Sequence, residues 1–470
     1  MMNRYKKLIS DTAVLGLGTF GSKLLVFLLM PLYTALLSTS EYGAAELITS
    51  VANLLIPLAC VGITNGIFRF AAERGSDKAE VFSSSVALLG IGVGAFLLIS
   101  PLLGLIGYLS GYAWLVAAYV IFADVQAVCA QYIRAIDRPK LFAVQGILNT
   151  LLTVAFNIVF LVAFDMGVTG YVLSVVVGNF VTTLFMIWQA RLWQVFRVSR
   201  IRRSVMGELL RFSLPLIPTT ICWLITDLSD RYMVTAFCGS AANGVYSAAY
   251  KIPTVVNLVS GIFMQAWQFS AVAESSDEES CRSFYSGVFD GFLSLIFIGS
   301  TGLVLLSPLL TRILLNSAYH GAWEYMPTLL CAVALEAVVS FLATVYMVRK
   351  KSMHSFLTAV LGTLCNVLLN LLLIPRMGAL GAAIATLAAY GAVLIARLID
   401  VPRILPFRLH LPRMILNAVL LFGASALMTA SVKWKYLWVI LVTLAVIAFN
   451  APPLLKSVRR LLQRRSGKEA

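Results

Sequence analysis

The feature that most constrains this chain is a succession of long apolar runs, separated by short charged stretches, along its 470 residues. A hydrocarbon core about 30 Å thick takes about 20 consecutive apolar residues per helical crossing. Runs of that kind fall at 11–37, 44–68, 81–106, 112–133, 141–164, 168–190, 212–237, 245–272, 283–306, 325–348, 355–375, 378–398, 413–431 and 436–455. They are continuous and do not alternate with polar residues. Within lipid every backbone polar group needs an internal partner, so the runs predict helices and not barrel strands. The expected fold class is an all-α polytopic membrane protein with 14 transmembrane helices. Composition agrees: 12% of the residues are charged, against about 25% in a soluble domain.

Charge orients the spans. With the N-terminus in the cytoplasm, the loops on that side carry 29 of the 36 Lys and Arg, and the opposite loops carry four, Arg312, Arg376, Lys433 and Lys435. One span missed or invented would scramble this segregation, so the positive-inside rule supports the register of all fourteen and puts both termini in the cytoplasm. Lys23, Arg231 and Lys251 remain inside the membrane. The net charge of +15 lies largely in segments such as RLWQVFRVSRIRR (Arg191 to Arg203) and the tail KSVRRLLQRRSGK. Such segments suit anionic lipid headgroups, and nucleic acid is not an expected partner.

Several chemistries find no support. The first apolar run is about twice the length of a signal-peptide core and no A-x-A site follows it, so it is expected to stay as a helix. The seven cysteines and three histidines are scattered, with no C-x-x-C pair. Neither a disulfide framework, a metal site nor a cofactor is indicated. No G-x-x-x-x-G-K-[ST] loop is present, so ATP hydrolysis is not expected.

An internal repeat divides the chain. PLYTALLSTSEYGAAEL ends the first span and DRYMVTAFCGSAANGVYSAA ends the seventh; Tyr33 precedes Gly43 by ten residues, and Tyr232 precedes Gly244 by twelve. NIVFLVAFDMGVTGYVLS joins spans five and six, and NLLLIPRMGALGAAIA joins eleven and twelve. In both, an Asn (157, 370) leads to a G-x-x-G pair (Gly167/Gly170, Gly378/Gly381), and the two matches give offsets of 201 and 211 residues. Six spans per unit is an even number, so the halves share one topology and are related by an axis along the membrane normal. The expected domains are a six-helix lobe at 1–209, a second at 210–402, and a helix pair with a basic tail at 403–470.

PLYTALLSTSEYG, GITNGIFRFAAE, RFSLPLIPTTICWLITDLSDRYMV, GVYSAAYKI and NVLLNLLLIPRMGALGAAIAT resemble the signature segments of bacterial polysaccharide and oligosaccharide-lipid flippases. These belong to the superfamily of multidrug, oligosaccharidyl-lipid and polysaccharide exporters. The resemblance covers essentially the whole chain in order and spacing. It implies two six-helix lobes around a central cavity, working by alternating access in the bacterial cytoplasmic membrane. The implied cargo is a polyprenyl-pyrophosphate-linked oligosaccharide, carried from the inner to the outer leaflet; no enzymatic activity is implied.

Ionisable residues inside spans are costly and mark candidate sites. Lys23 lies about twelve residues from either end of its span, about 18 Å at the helical rise, too deep to snorkel. It is either a cavity-lining cation for an anionic substrate or half of a buried ion pair. In CWLITDLSDRYMV (Cys222 to Val234), Asp227 and Arg231 share a helix face and either pair or serve the substrate. Asp227 and Asp230 are candidates for coupling to H+ or Na+, or for gating, because Pro215 and Pro218 interrupt the same helix. Lys251, with Tyr246 and Tyr250, is placed to meet sugar or phosphate, or to anchor at the interface. Arg69 closes the second span on the cytoplasmic side, and the resemblance adds a role in catching pyrophosphate. Gln265, Trp267 and Gln268 are candidates for sugar stacking and hydrogen bonding. Asp124 with Gln126, Glu336, and Asn366 with Asn370 are expected to hydrogen-bond between helices. A cation-coupled drug or metabolite exporter of the same superfamily stands as the alternative. A membrane glycan polymerase or glycosyltransferase has less support, since the longest outer loop, about 307–324, holds one Arg, one His and one Glu.

Overall fold

Helix boundaries follow local chemistry along the chain. The computed structural model describes residues 29–71, 77–136, 138–273, 278–349 and 351–465, and no strand occurs among them. The chain divides into two compact units, Met1–Tyr232 and Met233–Ala470.

In the first unit, α1 (Met30–Leu36) leads into α2 (Thr39–Ala59) through a capping box. The Ser38 hydroxyl accepts from the Glu41 amide while the Glu41 carboxylate accepts from the Ser38 amide and hydroxyl; the reciprocal pair satisfies two end amides. α2 does not continue to the end of the expected second span. It stops at Cys60–Gly62, where Val61 and Gly62 have φ of 52° and 65°, and α3 (Ile63–Ala71) resumes beyond. A β-branched residue at positive φ is strained, so tertiary packing holds this break. A Cβ at Gly92 would overlap the Ala59 carbonyl oxygen, so the next helix presses its backbone on the break.

That helix, α4 (Lys78–Ile99), is capped by Asp77, whose carboxylate accepts from the amides of Ala79 and Glu80. Chiefly the Glu80 amide, with the Ala79 amide and Arg200 at 2.6 Å, holds the Asp77 carboxyl below the usual carboxylate range. A depressed carboxyl contributes stability above its unfolded-state value and loses it as pH falls through the folded one. α5 (Ala113–Ala135), α6 (Pro139–Asn157) and α7 (Gly167–Ala190) follow, with a π-helical stretch at Ile158–Ala163 before the turn into α7. α8 (Arg203–Ser213) and α9 (Ile217–Cys238) meet at 49°. Pro215 sits in the short turn between them, whereas Pro218 lies in the first turn of α9, where its missing N–H costs nothing.

The second unit contains α10 (Ser240–Lys251), α11 (Thr254–Ala273), α12 (Glu278–Leu314), α13 (Met326–Val348), α14 (Ser352–Met377), α15 (Ala379–Ile404), α16 (Leu411–Thr429) and α17 (Lys435–Arg465). α15 packs against α14 and α13, and α17 against α12. A polar network fixes the last two helices. Asp290 on α12 meets His410 at 2.9 Å and Arg413 at 3.3 Å; Arg413 also donates to Ser294 and Asn450, and Asn450 pairs with Asn417.

Eleven described helices are long and apolar enough to cross a membrane, or twelve with α8 and α9 taken as one bent span. The eleven coincide with expected spans, and the bent pair is the expected seventh. The eighth, expected to be continuous over 245–272, is divided at Ile252–Pro253 into α10 and α11, since proline cannot continue the hydrogen-bond ladder. The expected first span lies, through Leu28, outside the described residues.

The repeat has a physical basis in each unit. Gly167 and Gly378 both have positive φ, 52° and 61°. Gly170 and Gly381 both lack room for a side chain: a Cβ would come within 3.2 Å of Phe160 O in the first and 2.6 Å of Leu373 O in the second. The asparagines match as well. Buried Asn157 donates to Thr153 O at 2.8 Å, and buried Asn370 donates to Asn366 Oδ1 at 3.1 Å, each four residues back.

Candidate functional site

A charged cluster sits within the first unit, where α2, α7 and α9 bring residues far apart in sequence together. Glu46, in the second turn of α2, is buried with its side chain 3% exposed. Arg231 on α9 donates to Glu46 Oε2 at 2.5 Å, and Tyr171 on α7 donates to Oε1 at 2.9 Å. Arg231 also reaches Asp227 at 3.5 Å, one helical turn back, and Asp227 is about half exposed. Around the carboxylate, Tyr33, Tyr42 and Tyr171 form an aromatic wall with ring centroids 4.8 to 6.4 Å apart.

The electrostatics follow from this inventory. One guanidinium faces two carboxylates, so this charged triad is net negative when all three groups are ionised. Charge-assisted bonds of this kind are short and strong, and removing one partner from a buried pair leaves an expensive charge behind. Arg231 thus directs donors to two protein carboxylates, Glu46 and Asp227. Asp230, three residues from Asp227, is buried at 3% exposure in the same unit.

Arg69 and Lys251 lie on other helices, α3 and α10. Lys23 lies outside the described residues. Arg69 is exposed in the last turn of α3. Lys251 ends α10, partly buried, and its carbonyl accepts from Thr254 Oγ1. Tyr246, named beside it as a sugar contact, is only 1% exposed and packs against Tyr250 and Tyr325. Trp267 is not available to stack on a sugar either: it is buried, donates to Thr344 Oγ1 at 3.2 Å and lies between Tyr285 and Phe341. The side chains of Gln265 and Gln268 lie outside those described.

Most of the expected hydrogen bonds between helices are present. Gln126 donates to Gln145 at 2.8 Å, Asn257 to Glu336 at 3.0 Å, and Asn366 to Thr386 at 3.1 Å. Asp124 departs from the expectation: it is fully buried and neither carboxyl oxygen makes a well-formed hydrogen bond. Arg397, counted from sequence among the loop cations, is 2% exposed. Its guanidinium donates to Val339 O and Thr358 Oγ1 and lies 5.6 Å from the centre of the Tyr346 ring.

Glu46 and Tyr171 escaped the sequence reading. Glu46 falls two residues inside the expected second span, and an acid there was the available signal. Its partner Arg231 is 185 residues away, which no local pattern encodes.

Long apolar helices in two units, charged groups held among them and repeated glycine turns define the fold of a multi-pass membrane protein. The chain belongs to the polysaccharide biosynthesis protein family, whose model matches residues 8–269, more than half of its length. Among solved structures, a lipid II flippase MurJ in an inward closed conformation matches with a TM-score of 0.72 at 14% identity, over 95% of this chain and 99% of its own. A multidrug resistance MATE family transporter of the MOP superfamily matches in its inward-facing conformation with a TM-score of 0.66 at 15% identity, over 81% of this chain and 95% of its own. The outward-facing conformation of such a transporter gives 0.64 at 16% identity, over 84% and 95%. Comparison with curated proteins gave no match.

Proposed function

We propose that this protein is a flippase that carries a polyprenyl-pyrophosphate-linked oligosaccharide from the inner to the outer leaflet of the bacterial cytoplasmic membrane, for cell-surface polysaccharide biosynthesis. The observation that carries this reading is the family match over residues 8–269; the likeness in fold to a lipid II flippase supports it. In this reading the chain has fourteen spans with both termini in the cytoplasm. Lobes at 1–209 and 210–402 alternate access, and the segment 403–470 stands apart from them.

A charged, hydroxyl-rich headgroup cannot cross hydrocarbon without replacements for its water, because each unsatisfied polar group there costs several kcal/mol. Lys23 supplies a cation deep in its span for the pyrophosphate, while Arg69 and Lys251 receive it nearer the interfaces. Asp227 or Asp230 couples the cycle to H+ or Na+. The two acids gathered at Arg231 favour a second reading, cation-coupled export of a small molecule, since acidic groups suit a cation better than pyrophosphate.

The test uses a strain of the source organism lacking this gene. Lipid extraction is expected to recover polyprenyl-pyrophosphate-linked glycan trapped on the cytoplasmic side, cleared by the intact protein and not by Lys23→Ala expressed at equal abundance. An unchanged lipid pool, in a background with no second flippase, overturns the reading in favour of the small-molecule exporter.

A further inference from the structure

Asp124 occupies the middle of α5, the twelfth of its 23 residues. It has no exposed surface, and neither carboxyl oxygen makes a well-formed hydrogen bond; the Cys60 thiol, a weak donor, is the side chain that approaches it. Gln126, Glu336 and Asn366, which the sequence also suggested as links between helices, make such bonds, and a buried carboxyl that makes none requires an explanation. An ionised carboxylate left dry and unpaired in a protein interior costs many kcal/mol, whereas the neutral acid is far cheaper to hold. Among the described residues, the helices packed against α5 bring one titratable group to it, the thiol of Cys60.

Cys60 gives this placement its mechanical meaning. It is the first residue of the break between α2 and α3, followed by Val61 and Gly62 at positive φ. Gly92 of α4 presses on the Ala59 carbonyl from another direction, and a Cβ at Gly62 would meet Ile217 at 2.9 Å. The carboxyl thus abuts a strained, tightly enclosed break in a membrane helix. Strained backbone persists only where the surroundings over-determine it.

We propose that Asp124 is a proton-carrying carboxyl of this protein, and that its deprotonation is coupled to a rearrangement of the Cys60–Gly62 break. In the enclosed state the group is a carboxylic acid. Transfer of its proton to water leaves a carboxylate that this packing cannot hold, so proton loss and opening of the break occur together. The two states differ in the interaction energy of one group, which is what a switch requires. The proposal rests on the transporter reading for its purpose, but its test needs no cargo.

The experiment uses the purified full-length protein reconstituted in lipid. Infrared difference spectra between mildly acidic and alkaline pH, recorded in light and heavy water, are expected to show a protonated-carboxyl carbonyl band that disappears on alkalinisation. Asp124→Asn is expected to lose the band and to release one proton fewer per chain on the same titration. Asp124→Glu should keep it at a shifted frequency, which serves if the Asn variant does not fold; Cys60→Ser should keep the band and move it to lower frequency, since a hydroxyl donates more strongly than a thiol.

Labelling of Cys60 by a small membrane-permeant maleimide reads the break. Relative to Asp124→Asn, which retains only the thiol's own pH dependence, labelling of the intact protein should rise several-fold with pH. Absence of the band, a band unchanged in both Asp124 variants, or labelling ratios flat with pH each overturn the proposal. A carboxylate held ionised by a cation from elsewhere in the chain gives the first of these results. Glycan accumulation in the deletion strain is independent of all three, so failure here and failure of the flippase reading are distinguishable.

Discussion

The hairpin α6–α7 of the first unit and the hairpin α14–α15 of the second share one backbone device and differ at two matched positions, one near the turn and one at the far end. Both turn on a positive-φ glycine and bring a second glycine against the preceding helix. Counting from the first glycine, Tyr171 corresponds to Ala382, and Met186 to Arg397. Near its turn the first hairpin buries the tyrosine that holds Glu46, where the second buries an alanine. At the far end the first buries a methionine, where the second buries an arginine bonded to Thr358 and Val339. Backbone geometry is thus the repeated element, and charge is what each unit adds for itself.

The largest expected effect tests whether the charge near the first turn is structural. Glu46→Ala strands Arg231 with the half-exposed Asp227, and should cost about 4 kcal/mol, within the range for breaking a buried pair. Thermal unfolding in detergent, followed by fluorescence, reads it; a loss of under about 1 kcal/mol would mean that water already compensates the pair. Next come the glycines. Gly381→Ala forces a Cβ onto backbone atoms and should cost about 3 kcal/mol, and Gly170→Ala, with more room, about 1 kcal/mol. The reverse order would break the equivalence of the two turns.

Tyr171→Phe removes one hydrogen bond to a carboxylate and should cost about 2 kcal/mol. The smallest effect is expected for Arg397→Met, which puts the first hairpin's residue into the second. Thr358 still donates to Ser355 O at 3.0 Å, so the change should cost only about 1 kcal/mol. A large loss would show that the second unit depends on its buried cation as the first depends on its acid.

Much of the scaffold was legible because lipid leaves few options: long apolar runs must be helices, and the N…G-x-x-G pattern marks turns that only small residues fit. The spacing even carried the difference between the hairpins. Asn157 precedes Gly167 by ten residues and Asn370 precedes Gly378 by eight, and the π-helical stretch at Ile158–Ala163 lies within the longer one, as inserted residues are commonly absorbed. Charge pairing was legible only over one helical turn, as with Asp227 and Arg231. Glu46 with Arg231, and Arg397 with Val339 and Thr358, depend on which helices pack together. The break at Val61 was hidden for a different reason: valine has no tendency to the left-handed region, so its conformation is imposed by neighbours. Asp124 was visible as a polar residue in an apolar span, but nothing local distinguished it from Gln126, two residues on, which finds a partner.

The clasp between Asp290 and the final helices bears on how the chain is made. His410 emerges from the ribosome 120 residues after Asp290. At about 10 residues per second that interval is about 12 s, during which an acid within an apolar helix awaits His410 and Arg413. The contacts that tie α12 to α16 and α17 therefore form well after α12 itself has been made. A chain lacking His410 and Arg413 would leave the Asp290 carboxylate without the two side chains that hold it, so α12 would lose its tie to α16 and α17.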